Sequence, residues 1–137
     1  MKLHIIARGR IGASPEAELV QRYAKRAPGR LSITEIGDTA PWPAFGPGRT
    51  VVLDERGKDM ASTDLAALLA RWRDDGAREV RFLIGAADGH DAGTRTGADL
   101  LLGFGRATWP HMLVRAMLAE QLYRALSILD GHPYHRA

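Results

Sequence analysis

The chain has 137 residues, no cysteine, 45% hydrophobic and 26% charged residues, and a formal net charge of +3. That length carries one domain with its own core, and the composition excludes a disordered chain. The lack of cysteine excludes a disulfide framework or thiolate metal site, and no apolar run approaches the ~18–20 residues of a membrane span. The cations are lopsided, 3 Lys against 16 Arg. Guanidinium suits phosphates and bases, but a biased genome produces the same excess, so charge alone assigns no partner. The start, MKLHIIARGRIG, lacks the apolar core of a signal peptide, and a cytoplasmic location is expected.

Lys2 to Ala7 reads as a first strand, ended by Gly9 and Gly12. Ser14 with Pro15 behind it starts a helix through Arg26, which Pro28 and Gly29 stop. Leu31 to Ile36 alternates as a half-buried strand does. Gly37 to Arg49, rich in Pro and Gly, is a loop. Its Trp42 and Phe45 either pin the loop to the surface or form a base-stacking pair. Thr50 to Leu53 is a buried-type strand, leading into the loop Asp54 to Lys58. Ser62 is expected to cap an amphipathic helix to about Asp75. Val80 to Ile84 is the next strand, Asp91 to Ala98 a short helix, and Leu100 to Phe104 the last strand. Strand and helix alternate throughout residues 1–137, which predicts a single α/β domain: a mainly parallel sheet with helices on both faces.

The longest helical pattern follows Pro110 and closes at Gly131 and Pro133. Leu113, Val114, Met117, Leu118, Leu122, Leu126 and Leu129 recur at spacings of mostly three and four. The polar face is narrow: Arg115, Glu120, Gln121, Arg124 and Ser127, with Ser127 expected on the solvent side. Such a helix is covered on more than one side, by the rest of this chain or by a second copy.

Ligands of open α/β sheets bind beyond the carboxyl ends of the strands. Three such ends carry loops fit for a small ligand: Leu53 to Lys58, Gly85 to His90 and Phe104 to Trp109. Neither a P-loop nor a Rossmann glycine fingerprint occurs, and there is no cysteine nucleophile or G-x-S-x-G. His132 and His135 are not a convincing metal pair, so no metal is expected.

Several motifs then identify a resemblance. They are Leu53-Asp54-Glu55-Arg56-Gly57-Lys58, Phe82-Leu83-Ile84-Gly85, Thr108-Trp109-Pro110-His111-Met112-Leu113-Val114-Arg115, Ala119-Glu120-Gln121-Leu122-Tyr123-Arg124-Ala125 and His132-Pro133-Tyr134-His135-Arg136. In this order and spacing the chain resembles the bacterial ribosomal large subunit methyltransferase H family of the SPOUT superfamily. The resemblance is strongest after Val51 and loose between Gly9 and Gly48. It implies a C-terminal deep trefoil knot, S-adenosylmethionine as cofactor and a homodimer. It also implies methylation of N3 of a pseudouridine in 23S rRNA on the assembled ribosome. Carried over by position, the cofactor would meet Leu53, Gly85, Phe104, Gly105, Arg106, Ala107, Thr108 and Trp109. The reaction site would hold His111, Tyr134, His135 and Arg136, with His135 or His111 taking the N3 proton and Arg136 binding phosphate or a base carbonyl. Glu120 and Arg124 read only as an i,i+4 pair. Ala86, where many members carry a second glycine, leaves open a rival reading: a ribosome-associated RNA-binding dimer with impaired catalysis. A SPOUT enzyme acting on tRNA is a third.

Overall fold

Short runs rich in Val, Ile and Leu become the strands of one sheet: β1 (Lys2–Arg8), β2 (Leu31–Ile36), β3 (Arg49–Asp59), β4 (Glu79–Ile84) and β5 (Leu100–Gly103). Between and after them lie α1 (Pro15–Arg26), α2 (Ser62–Asp74), α3 (Ala92–Thr96) and α4 (His111–Asp130). The computed structural model describes residues 1–134. Every strand pairing is parallel, and the spatial order is β2-β1-β4-β3-β5. β4 therefore enters between β1 and β3, although it follows both in sequence.

The parallel sheet is buried from both sides, but its helices flank it unevenly. Leu3, Ile5, Val51, Val80 and Phe82 face one way and pack with Leu65 and Leu69 of α2 and Leu118 and Leu122 of α4. α4 also packs against α1 and α2. Each of its fully buried leucines contributes about 1.5–3 kcal/mol through removal from water. On the opposite face, Ile6, Val52 and Leu83 are covered by Ile36, Trp42, Ala98 and Leu101 rather than by a long helix. Loop 37–48 thus serves as the cover there, with Trp42 packed under the sheet. Two arginines hold it. Arg8 Nη1 donates to the carbonyls of Gly37 (3.0 Å) and Ala40 (2.6 Å). Buried Arg81 donates to the carbonyl of Gly46 and lies over the Phe45 ring at 4.6 Å.

Local signals place most helix ends. The Ser14 hydroxyl accepts from Ala17 N at 3.1 Å, with Pro15 opening α1. Gly131, at φ 70°, closes α4, with its own N–H on Ile128 O and the His132 N–H on Ser127 O. Ser62 is a correction. The cap position of α2 is Ala61, with no side-chain bond, and the Ser62 hydroxyl donates instead to Gln121 of α4 at 2.6 Å. Ser127 is another: it is 4% exposed, its hydroxyl donating to the Tyr123 carbonyl at 3.0 Å. A carboxylate there would disturb the core rather than a solvent face. Arg115, expected on the polar face, is 0% exposed.

Candidate functional site

The strand order brings the three loops together. β3 lies between β4 and β5, so the chain after Leu53, after Ile84 and after Gly103 emerges side by side. Their ends enclose a cleft of about 520 Å³, within the range of small-ligand sites. The stretch Asp54 to Lys58 is not a free loop. Both Leu53 and Lys58 pair with Leu102, so residues 54–57 bulge out of the ladder while β3 continues beyond them. Gly57 makes this possible. A Cβ on it would stand 2.4 Å from the Leu102 carbonyl carbon and 2.6 Å from the Gly103 nitrogen. Within the bulge, Asp54 Oδ1 accepts from Arg56 N at 2.8 Å. Its Oδ2 lies 2.8 Å from Arg95 Nε of α3, an ion contact without hydrogen-bond alignment.

The second wall is the turn after β4. Gly89, at φ 86°, returns the chain so that its N–H reaches the Ala86 carbonyl at 2.8 Å. Gly85 sits tightly beneath that turn. A Cβ there would be 3.1 Å from Gly89 backbone atoms and from His90 Cε1. The third wall is the segment Phe104 to Trp109. The Trp109 indole N–H donates to the Phe104 carbonyl at 2.9 Å and folds the segment on itself, leaving the ring 42% exposed at the rim. α4 begins immediately after, and its first residue, His111, lines the cleft together with Val114.

Of the residues assigned to a cofactor from the resemblance, Leu53, Gly85, Phe104, Gly105, Ala107, Thr108 and Trp109 line this cleft. Arg106, on the same segment, is exposed and not among the lining residues. Of the residues assigned to the reaction, His111 lines the cleft and Tyr134 stands apart from it. Tyr134 folds back onto the middle of α4, where its hydroxyl donates to Glu120 Oε2 at 2.9 Å. Its ring meets Tyr123 edge-on at 4.7 Å, and Arg124 lies over it at 5.1 Å. Burial, and then the bonds to its neighbours, holds the Tyr134 phenol above its ordinary value, so it stays protonated. Glu120 is nine residues beyond His111 in α4, about 13 Å along the axis. His111 and Tyr134 therefore occupy different parts of the helix. His135 and Arg136 lie outside the described residues.

Other residues matter that the sequence reading left aside. Glu120 pairs with Arg124 at 2.8 Å, as the spacing predicts, and it also receives the tail. Arg115 reaches from α4 to the carbonyls of Arg8 and Gly9, both at 3.1 Å, and to Glu35 of β2. It braces the helix that carries His111 against the end of β1. A signal existed: Arg115 stands three and seven residues before Leu118 and Leu122, on their buried face. His90 lines the cleft with Nε2 buried and without a partner among the described residues. Nothing local in the sequence marks it.

Residues 46–135 match the model of the family described as "Predicted SPOUT methyltransferase". The chain is 65% identical to the Ribosomal RNA large subunit methyltransferase H of Novosphingobium aromaticivorans, covering 99% of both chains. It is 63% identical to the protein of that name from Erythrobacter litoralis, over 100% of this chain and 99% of that one. For Zymomonas mobilis the identity is 57%, over 99% of each. The alignments run end to end, so the likeness includes the first half as well as the cleft. This chain belongs to the ribosomal RNA large subunit methyltransferase H family of SPOUT methyltransferases.

Proposed function

We propose that the protein methylates ribosomal RNA of the large subunit, with S-adenosylmethionine as donor. The target on this reading is N3 of a pseudouridine in 23S rRNA of the assembled ribosome, reached by a cytoplasmic homodimer. The observation that carries the reading is the cleft at the ends of β3, β4 and β5, in a chain alike over its whole length to relatives of that name. Its walls fit such a cofactor. Gly85, Gly103 and Gly105 present bare backbone, and Leu53, Leu102 and Phe104 present apolar surface for a ring. When bound, the cofactor supplies an electrophilic methyl on sulfonium.

The chain's own residues then align, exclude water and handle the proton. The Gly85–Gly89 turn and the Phe104–Trp109 segment hold the donor by backbone groups. His111, at the mouth where α4 begins, is placed to accept the N3 proton, and His135 is the other candidate. Exposed Arg10, Arg56 and Arg106 follow β1, lie in the β3 bulge and follow β5, all at the carboxyl end of the sheet. They form the rim for RNA phosphates. The Arg106 side chain is thus given to RNA, and its main chain stays with the cofactor segment. We also infer that the chain after β4 completes a deep trefoil knot.

Calorimetric titration with S-adenosylmethionine tests the cleft, and binding in the micromolar range is expected. No binding at millimolar ligand refutes the cofactor reading and favours a non-catalytic RNA-binding dimer. Mass spectrometry of 23S rRNA from a deletion strain tests the substrate: one pseudouridine should lack its methyl, and an unchanged digest refutes the assignment.

Removal of Pro133 to Ala137 is expected to abolish methylation while the fold and cofactor binding persist. The described part of that loss is two hydrogen bonds, one of them exposed, an aromatic edge contact and the Arg124 stacking, about 1–3 kcal/mol. Thermal melting beside the methylation assay checks this; an unfolded product makes the tail structural.

A further inference from the structure

Three side chains from distant segments stack beside the cleft. Arg8, at the end of β1, lies over the Trp42 ring at 4.1 Å. Trp42, in loop 37–48, stacks on His90 with centroids 5.9 Å apart and planes 28° apart. The His90 ring in turn stands against Gly85, so close that the glycine has no space for a full Cβ contact. Trp42 is also packed on Ile6, Val52 and Leu83 under the sheet. Loop 37–48 is thus joined to a wall of the cleft through one imidazole.

We propose that neutral His90 is a positioning residue for the cofactor cleft: wedged between Trp42 and Gly85, it ties the glycine wall to loop 37–48, and its protonation releases that wall. The proposal rests on the cleft being the cofactor site.

A second proton gives the ring a second N–H to satisfy. Nε2 is buried and has no partner among the described residues. A buried donor without a well-aligned acceptor is costly, and a buried charge more so. The indole that would share the new charge already carries the Arg8 guanidinium. Burial is the largest influence, and Asp54, the main-chain carbonyls of Leu53 and Leu83 and the other charged groups around the ring offset it only in part. Asp54 on β3 favours the imidazolium, but it is engaged with Arg95 of α3. Asp91, the cap of α3, interacts with His90 while its carboxylate accepts from Thr94 N at 2.7 Å. Arg8 opposes the cation. Burial, the largest influence, holds the imidazole below its ordinary value.

The sign follows. The unfolded chain takes up the His90 proton near pH 6.5, and the folded chain does so only at lower pH. Stability and cleft order are therefore complete above about pH 6.5 and decline as the medium acidifies through His90's lowered value.

The test combines imidazole NMR of the ligand-free protein with calorimetry of S-adenosylmethionine at pH 7.5 and 5.5. His90 is expected to titrate below the ordinary histidine range, and further below it with ligand. Affinity in the unmodified protein should fall on acidification, by at most about tenfold, because only the neutral fraction is competent and a value below 6.5 keeps about a tenth or more of the ring neutral at pH 5.5. His90→Phe keeps a flat ring but cannot be protonated, and whatever its affinity at pH 7.5, that affinity should change less than twofold between the two pH values. The variant also cancels any titration of the ligand itself. Trp42→Leu should return His90 towards the ordinary histidine value. An equal pH effect in His90→Phe, or an ordinary titration of His90, overturns the proposal while leaving the cofactor reading intact. Absence of binding at pH 7.5 overturns both, and the ligand-free titration identifies that case.

Discussion

Alanine at Gly57 is expected to abolish S-adenosylmethionine binding and to cost about 3 kcal/mol of stability or more. Overpacking in a close-packed interior costs about 1–3 kcal/mol when side chains can give way. Here the obstructing atoms are the Leu102 carbonyl carbon at 2.4 Å and the Leu102 and Gly103 nitrogens, all main chain of β5. They cannot rotate aside, so β3 and β5 must separate. That movement displaces Leu53 and the Leu102–Gly105 wall together, and both border the cleft. Chemical denaturation and calorimetry read the two effects. Gly46→Ala is the control: nothing stands within 4 Å of its added methyl and its φ is not positive. Its stability should stay within about 0.5 kcal/mol. Full cofactor affinity in Gly57→Ala would remove the close strand approach from the account of the cleft.

Loss of Glu35 should harm the protein more than loss of the arginine it binds. In Glu35→Ala, Arg115 remains 0% exposed with only the Arg8 and Gly9 carbonyls to receive it. The Ile11 N–H, bonded to Glu35 at 2.8 Å, loses its acceptor as well. A buried charge stripped of its partner costs about 3–5 kcal/mol. In Arg115→Met, by contrast, the Glu35 side chain is 36% exposed and can turn to water. About 1–2 kcal/mol is expected there, from the unpaired carbonyls. The double variant should be more stable than Glu35→Ala alone, since it removes the orphaned charge. A thermodynamic cycle across the four proteins measures this order. Equal losses in the two single variants would mean that Arg115 gains little from Glu35. The brace also bears on the site, because Arg115 lies one turn beyond His111 and holds that end of α4 against β1.

Loop 37–48 joins these residues to the rest of the fold in a way its composition conceals. Prolines and glycines mark it as irregular, and it is where family likeness reads most loosely from the motifs. Yet Arg8, Arg81 and Trp42 hold it under the sheet, where a helix would otherwise be needed. Part of the arginine excess is thereby accounted for. Arg8, Arg81 and Arg115 all donate to main-chain carbonyls inside the protein. Their guanidinium forks satisfy several acceptors at once, which an ammonium does less well.

What could be read from the sequence alone follows from short-range physics. Ser14 before Pro15, Gly131 after Asp130 and the apolar runs at β1 and β4 act over a few residues, so helix ends and strands were legible. So were the three loops of the cleft, because strand alternation with helices implies parallel strands whose carboxyl ends point one way. The motifs after Val51 added the family. Tertiary structure alone decided the rest. Strand order places β4 between β1 and β3 through pairings across about 30 to 80 residues, which no local pattern encodes. Periodicity shows that α4 is buried but not against what, so the pattern alone puts Arg115 and Ser127 on a polar face, and their partners put them inside. Tyr134 was placed by a contact with Glu120 after the chain reverses at Gly131. His90 gained its setting from Trp42, 48 residues earlier in the chain. Burial is written in the sequence as a repeat; the identity of the burying partner arises only when distant segments pack.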